Sequence, residues 1–323
     1  MRKMMIYAAG GAGCNIASNF LKQMNKETTG MTVFDCVYID TSRSNLNPNI
    51  PLTQTYLVDN LDGSGKLRSS NHQVLSDCSR DILLKHKPAD INIVIGSGSG
   101  GSGSVISPIL VSQLLDRGED VIVITIGSTS SRIETENTLK TLKSYEMISQ
   151  LRETPVIMAY RENSPTMPRG KVDAEIEMFI ATLAVMFSGN NRELDSSDLS
   201  NFLKYQKVTN FKPKLSHLDI FNGNVTLSKG QALVSLVTLM DSESQAESGV
   251  LTDYQAAGFI PDSAKTYLGQ QLPIHAAVVS GYFNGVAETL EQKIRSYDEV
   301  RNAIVEKPIT DRNTQATGDG LVL

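Results

Sequence analysis

Residues 91–115 constrain the chain more than any other stretch. Ile91-Asn92-Ile93-Val94-Ile95 is an apolar, β-branched run; Gly96-Ser97-Gly98-Ser99-Gly100-Gly101-Ser102-Gly103-Ser104 follows directly, and Val105 to Leu115 is apolar enough for a buried helix. Flexible Gly/Ser linkers are rarely clamped between two such segments, so the succession predicts strand, tight loop and helix in an α/β fold. It also suits an anion. Glycines let consecutive backbone N–H groups approach a phosphate with no Cβ in the way, and the helix that follows presents its positive end. Ser99, Ser102 and Ser104 add hydroxyl donors. No lysine follows the glycines, which excludes a Walker A loop.

Similar alternations run through the first half. Met4 to Ala9 reads as a strand, and Gly10-Gly11-Ala12-Gly13 turns it into a helix with Ile16, Ala17, Phe20 and Leu21 at helical spacing. Val33 to Ile39 is a second strand. It ends at Asp40-Thr41, where α/β sheets place ligand loops. Asp40 can hold a ribose hydroxyl or a hydrated metal ion, and equally can serve a turn. The polar loop from Asp59 to Asn71, centred on Asp62-Gly63-Ser64-Gly65-Lys66, either folds over a terminal phosphate or moves freely. Asp120 to Gly127 and Pro155 to Tyr160 are further buried strands, with a helix opening near Glu134 between them. Strands alternating with helices predict a doubly wound parallel sheet with right-handed crossovers.

Val172 to Phe187 is apolar around most of its circumference, which predicts a helix buried between two bodies. Asp195-Ser196-Ser197-Asp198 starts a short helix, and Leu215 to Phe221, Ala232 to Met240 and Pro273 to Phe283 are strand-like without glycine loops, so this half reads as a smaller mixed α/β domain. Asn284 to Glu306 carries Val286, Leu290, Ile294, Tyr297, Val300 and Ile304 on one helical face until Pro308 stops it. A polar tail then closes on Leu321-Val322-Leu323.

Composition excludes several classes. With 40% hydrophobic and 20% charged residues among 323, the chain reads as an ordinary soluble protein long enough for two cores. A net charge of −5 argues against nucleic acid as the main partner. Cys14, Cys36 and Cys78 lie too far apart for a zinc site or disulfide framework and suit a reducing cytoplasm. The apolar run near the N-terminus stops at Gly10, too short for a signal peptide or membrane span.

Ser99-Gly100-Gly101-Ser102-Gly103-Ser104 resembles the signature loop of the tubulin superfamily, with Ser102 in place of threonine and Val105 in place of the last glycine. Together with the glycine turn after the first strand, the pair Asp195-x-x-Asp198 and the closing Asp319-Gly320-Leu321-Val322-Leu323, the chain is similar over nearly its whole length to the tubulin-like GTPases of large bacteriophages. That resemblance implies a Rossmann-type GTPase domain and a smaller mixed α/β domain joined by a central helix. Residues 1–171 would bind GTP, 172–188 form the central helix, 189–283 the activation domain, 284–307 the C-terminal helix and 308–323 the tail.

The resemblance also implies roles. Gly11, Ala12 and Gly13 would face the phosphates, with Asn15 near base or ribose. Ser99, Gly100, Gly101, Ser102, Gly103 and Ser104 would cradle the α- and β-phosphates, and Gly63, Ser64 and Gly65 would sense the γ-phosphate. Glu134 or Glu136 would touch ribose. Asp173 would read guanine, although an acid near a helix N-terminus is favoured by the dipole anyway. Asp195 and Asp198 would orient water in a neighbouring subunit's site, whereas locally Asp195 reads as a helix cap. GTP or GDP with Mg²⁺ would be the cofactors, with no protein metal ligand assigned. The expected partners are further copies of the chain, the tail docking on the next subunit, with phage DNA, its compartment or capsids as indirect cargo in a bacterial cytoplasm. Two other readings stay open: a nicotinamide-dependent oxidoreductase, which lacks its third fingerprint glycine because Ile16 stands there, and a non-hydrolysing structural filament.

Overall fold

The computed structural model describes residues 2–24, 32–46, 50–58, 61, 65–66, 68, 72–164, 166–242, 249–268 and 273–303. Among these residues ten strands, β1 (Arg2–Ala9), β2 (Thr32–Asp40), β3 (Thr55–Leu57), β4 (Ile91–Ser97), β5 (Val121–Ser128), β6 (Val156–Asn163), β7 (Leu215–Asn222), β8 (Ala232–Met240), β9 (Tyr254–Phe259) and β10 (Ile274–Ser280), form one sheet in the order β3-β2-β1-β4-β5-β6-β7-β10-β8-β9. Neighbours from β3 through β7 pair in parallel, and β10 runs antiparallel between β7 and β8. The strands of the second half therefore continue the first half's sheet. The join is the short pairing of Val156 to Met158 with Leu215 to His217.

The helices are α1 (Gly10–Gln23), α2 (His72–Lys85), α3 (Gly103–Asp116), α4 (Arg132–Arg152), α5 (Arg169–Met186), α6 (Ser196–Leu203), α7 (Asp262–Leu268) and α8 (Tyr282–Ala303). They cover both faces. Along β1, Met4, Ile6 and Ala8 pack into the layer holding α1 and α5, while Met5, Tyr7 and Ala9 pack into the layer holding α2, α3, α4 and α8. A strand buried on both sides has no reason to alternate apolar with polar residues, which is why β1, β4 and β5 read as continuous apolar runs.

Some boundaries differ from the sequence reading. Helix α5 begins at Arg169, three residues before the expected Val172. Residues 169–171 are exposed, so they carry no apolar signal, and Pro168 precedes them in extended backbone that suits a helix entry. The strand expected to run to Phe283 ends at Ser280, where Gly281 at φ +85° turns the chain into α8. Neither α2 nor β9 was expected. Strand β9 is a half-buried edge strand of small and polar residues, Tyr254-Gln255-Ala256-Ala257-Gly258-Phe259, without a clean periodicity. No helix among the described residues is long and apolar enough to cross a membrane.

Candidate nucleotide site

Because β1, β2, β4 and β5 are parallel, the loops after them meet at one sheet edge. Gly10, at φ +72°, turns β1 into α1, and a Cβ there would stand 2.9 Å from the backbone nitrogen of Gly103. Only glycine lets the two turns touch in this way. Around them opens a cleft of about 760 Å³, the size of a small-molecule site. Of the expected residues, Gly11, Ala12, Asn15, Asp40, Gly65, Ser99, Gly100, Gly101, Ser102, Gly103 and Glu134 line it. Gly63 and Ser64 lie outside the described residues.

The glycine-serine loop is held by its own side chains. Ser97 Oγ accepts hydrogen bonds from the Ser99 and Gly100 N–H groups at 3.2 Å, and buried Ser104 Oγ donates to the Gly101 carbonyl at 3.1 Å. Ser104 thus shapes the loop from beneath. Ser102 Oγ and Thr41 Oγ1 lie 2.7 Å apart, linking this loop to the end of β2. Helix α4 braces the other side: Asn137 Nδ2 donates to the carbonyls of Ser99 (3.1 Å) and Lys66 (2.8 Å), and Thr141 Oγ1 donates to that of Gly98 (2.9 Å). Gly13 sits behind the cleft, where a Cβ would stand 2.4 Å from the Ile95 carbonyl oxygen; its absence lets α1 pack on β4.

Of the four acids expected here, Asp40 and Glu134 line the cleft and Glu136 and Asp173 do not. Asp40 is fully buried at its floor. Its Oδ1 accepts from the Thr41 and Ser42 N–H groups at 2.6 and 3.2 Å, while Oδ2 has no hydrogen-bond partner. Burial pushes its carboxyl pKa up, against the opposing pull of those N–H groups. Glu134 accepts from Lys66 Nζ at 2.5 Å and Ser128 Oγ at 2.9 Å. Burial alone would raise its pKa, but these donors outweigh burial and hold it below the usual range. Glu136 instead pairs with Arg132 (2.9 Å) and Lys140 (2.8 Å) and does not line the cleft. Asp173 also stands off the cleft wall, 3.8 Å from Arg169, which does line it, and burial raises its pKa.

The sequence reading missed Ser42, Ser44, Asn45, Asn163 and Arg169, all on the cleft wall. Asn163 ends β6 with its Oδ1 buried and unpaired. Its position at a strand C-terminus was the available signal, although that strand was expected to stop at Tyr160. Among the described residues no cluster of three metal-ligating side chains occurs.

Asp195 and Asp198 are elsewhere. They line a cup of about 630 Å³ with Arg2, Ser188, Gly189, Asn190, Asn191 and Glu193. Asp195 Oδ1 accepts from the Ser197 and Asp198 N–H groups at 2.7 and 3.0 Å, while Asp198 Oδ2 accepts from the Asp195 N–H at 3.1 Å, a reciprocal capping box on α6. Tyr254 donates to Asp198 Oδ1 at 3.2 Å. The Asp198 and Ser197 N–H groups hold the exposed Asp195 carboxyl below its usual pKa. Cup and cleft lie at opposite ends of the molecule. Strand β1 begins at Arg2 in the cup and leads into Gly10 in the cleft, about 25 Å for eight residues. Helix α5 returns from Arg169 at the cleft to the cup, about 27 Å for eighteen residues.

No protein-family profile matches the chain. It is 27% identical over 327 residues, 99% of each chain, to a phage tubulin-like protein of Pseudomonas phage PhiPA3. It is 33% identical over 218 residues, 64% of each chain, to that of Pseudomonas phage phiKZ. Among solved structures it superposes on a protofilament of TubZ from Bacteriophage PhiKZ with TM-score 0.82, 26% identity and 99% of both chains covered. The GDP complex of the phage tubulin PhuZ gives 0.84 at 21% identity, again over 99% of both chains. The fold is that of tubulin-like proteins, and the glycine-serine loop and this likeness over the full length make the chain similar to members of the tubulin superfamily. Among them, it is similar to the phage tubulin-like proteins.

Proposed function

We propose that the chain is a GTPase that polymerises head to tail into dynamic filaments, with GTP held in the cleft of one subunit and capped by the cup of the next. The observation that carries this reading is the placement of cleft and cup at opposite ends of β1 and α5. Two sites so far apart in one chain can meet only between copies, and a head-to-tail contact of that kind leaves both ends open. The solved protofilament and the GDP complex among the structural relatives support the same assembly and ligand.

Backbone N–H groups of residues 99–104, at the start of α3, would hold the α- and β-phosphates, opposite the Gly11-Ala12-Gly13 turn. Asn15 would lie near base or ribose, and the residue 63–65 loop near the γ-phosphate. Glu134, being on the cleft wall, suits ribose better than Glu136. The unpaired Asn163 Oδ1 on the cleft wall offers an acceptor for the guanine N1–H or N2–H, donors that adenine lacks, and Asp173, which stands off the wall, suits that role less well. The unpaired Asp40 Oδ2 fits an acceptor for a water of a hydrated Mg²⁺. When bound, Mg²⁺ would neutralise phosphate charge and be held mainly by phosphate oxygens. Asp195 and Asp198 of the adjoining subunit would orient the attacking water, so hydrolysis follows assembly.

Competition binding with a fluorescent GTP analogue tests the ligand. GTP should displace it far better than ATP; equal displacement, or preference for NAD, contradicts the assignment. The filaments would act in the cytoplasm of an infected bacterium, positioning phage DNA or its compartment. A fluorescent fusion expressed there should form filaments that turn over, and a diffuse signal at all expression levels contradicts this.

A further inference from the structure

The cup contains a group that water-orienting carboxylates alone do not explain. Glu193, Asp195 and Asp198 bring three negative charges to a surface that, on the reading above, is pressed against a triphosphate. Like charges at such range repel strongly once water is squeezed out. Among the described residues lining the cup, Arg2 is the sole cation. It is set there by the sheet: Arg2 is the first residue of β1, its backbone pairs with Thr32 of β2, and its stem runs over Gly189, with Cγ and Cδ 3.5 Å from where a Cβ on that residue would stand. The guanidinium is close enough to Asp195 to contribute, after the Asp198 and Ser197 N–H groups, to stabilising that carboxylate. Arg192, three residues before Asp195, stacks over the Phe259 ring at 4.6 Å and has its Nε 3.8 Å from Glu193 Oε1, so it offsets that carboxylate and leaves Asp195 and Asp198 to Arg2.

We propose that Arg2 is an arginine supplied in trans: its guanidinium enters the cleft of the adjoining subunit beside Asp195 and neutralises charge on the γ-phosphate during hydrolysis. This rests on the head-to-tail reading. Guanidinium suits the task because it stays charged and presents a planar fork of donors to phosphate oxygens. The bond between the γ-phosphorus and the bridging oxygen breaks, water oxygen bonds to phosphorus, and the water proton leaves toward solvent by way of the carboxylates; the arginine only offsets charge. Rigid attachment to a strand end, rather than to a loop, fixes the reach of the side chain to its Asp195 neighbour.

The test uses full-length chains, with sedimentation and phosphate release measured on the same samples. Arg2→Ala should sediment with GTP, yet hydrolyse on the order of 10³-fold more slowly, the lower end of what arginines supplied in trans contribute. Arg2→Lys, which keeps the charge but loses the fork, should sediment and stay slow. Gly100→Asp places a carboxylate in the phosphate cradle where a side chain has room, its Cβ 3.6 Å from Ser97 Oγ, and should not bind GTP. Mixing it with Arg2→Ala joins an intact cup to an intact cleft and should restore hydrolysis. Mixing it with Asp195→Asn should do the same. Hydrolysis by sedimented Arg2→Ala or Arg2→Lys at the wild-type rate overturns the proposal. So does rescue of Asp195→Asn but not of Arg2→Ala, which would mean that Arg2 acts within its own chain. If neither pair is rescued, the shared site itself fails, and the proposal with it.

Discussion

One substitution separates the capping of α6 by Asp195 from the part proposed for it in hydrolysis. Its carboxylate caps α6 through two N–H groups, which asparagine accepts equally well, whereas only the charged form can steer water or feel the field of a phosphate. Asp195→Asn should therefore keep the wild-type melting temperature and still bind GTP, while phosphate release from sedimented filaments falls. A mutant that releases phosphate at the wild-type rate removes Asp195 from the chemistry. The cap itself was legible in the sequence, because capping is local. So were the glycines of the cradle, whose lack of a side chain is itself the signal. Asn163, Asn45 and Arg169 were not legible: each reaches the cleft only because strands and helices distant in sequence bring its backbone there. Gly13 was expected at the phosphates with Gly11, and its neighbours conceal the difference. Only the 2.4 Å distance to the Ile95 carbonyl reveals a packing role, where an added methyl would overpack by about 1–3 kcal/mol.

At the scale of elements, apolar runs gave away β1, β4 and β5, and the crowded circumference of α5 gave away the burial of Phe179, Ile180, Leu183 and Met186 in the layer it shares with α1. The pairing of β6 with β7, which fuses the two halves into one sheet, left no trace, since long-range pairing has no local periodicity. That junction is secured by charge as well as packing. Tyr282, at the start of α8, stacks on the His217 ring at 3.8 Å, and Asp219 on β7 receives Arg161 from β6 at 2.8 Å. Burial would raise the Asp219 pKa, but the His217 and Arg161 side chains outweigh it and hold it at about 2. A carboxyl with a depressed folded pKa contributes stability that is complete above its unfolded value and is lost as pH falls through the folded one. Asp219→Asn should thus be less stable than wild type near neutrality, and the difference should shrink as pH falls from about 4 to 2. A difference that stays constant across that window contradicts the ion-pair account.

For the whole molecule, the feature that matters is polarity: the cleft proposed to hold the nucleotide at one end of β1, and at the other an acidic cup in which Arg2 is the one arginine among the described lining residues. The sequence suggested this only through resemblance, because no local pattern says that Asp195 and Ser102 face away from each other. The tail falls outside the described residues, and its docking on the next subunit is a proposal of its own. A groove between α2, α3 and α4, of about 990 Å³ and lined by Leu84, Met147 and Leu151 with Arg80, Arg117, Lys143 and Arg152, offers apolar and cationic surface suited to Leu321-Val322-Leu323 and the Asp319 carboxylate. Deleting residues 310–323 should raise the critical concentration for sedimentation and leave GTP binding by the monomer unchanged; unaltered assembly contradicts docking. The central claim, that a complete site exists only between two copies, is tested most directly by phosphate release per subunit at saturating GTP across a range of protein concentrations. The rate per subunit should be close to zero below the concentration at which the protein begins to sediment and rise steeply above it. A rate per subunit that does not change with protein concentration would mean that one chain hydrolyses GTP alone, contradicting the account.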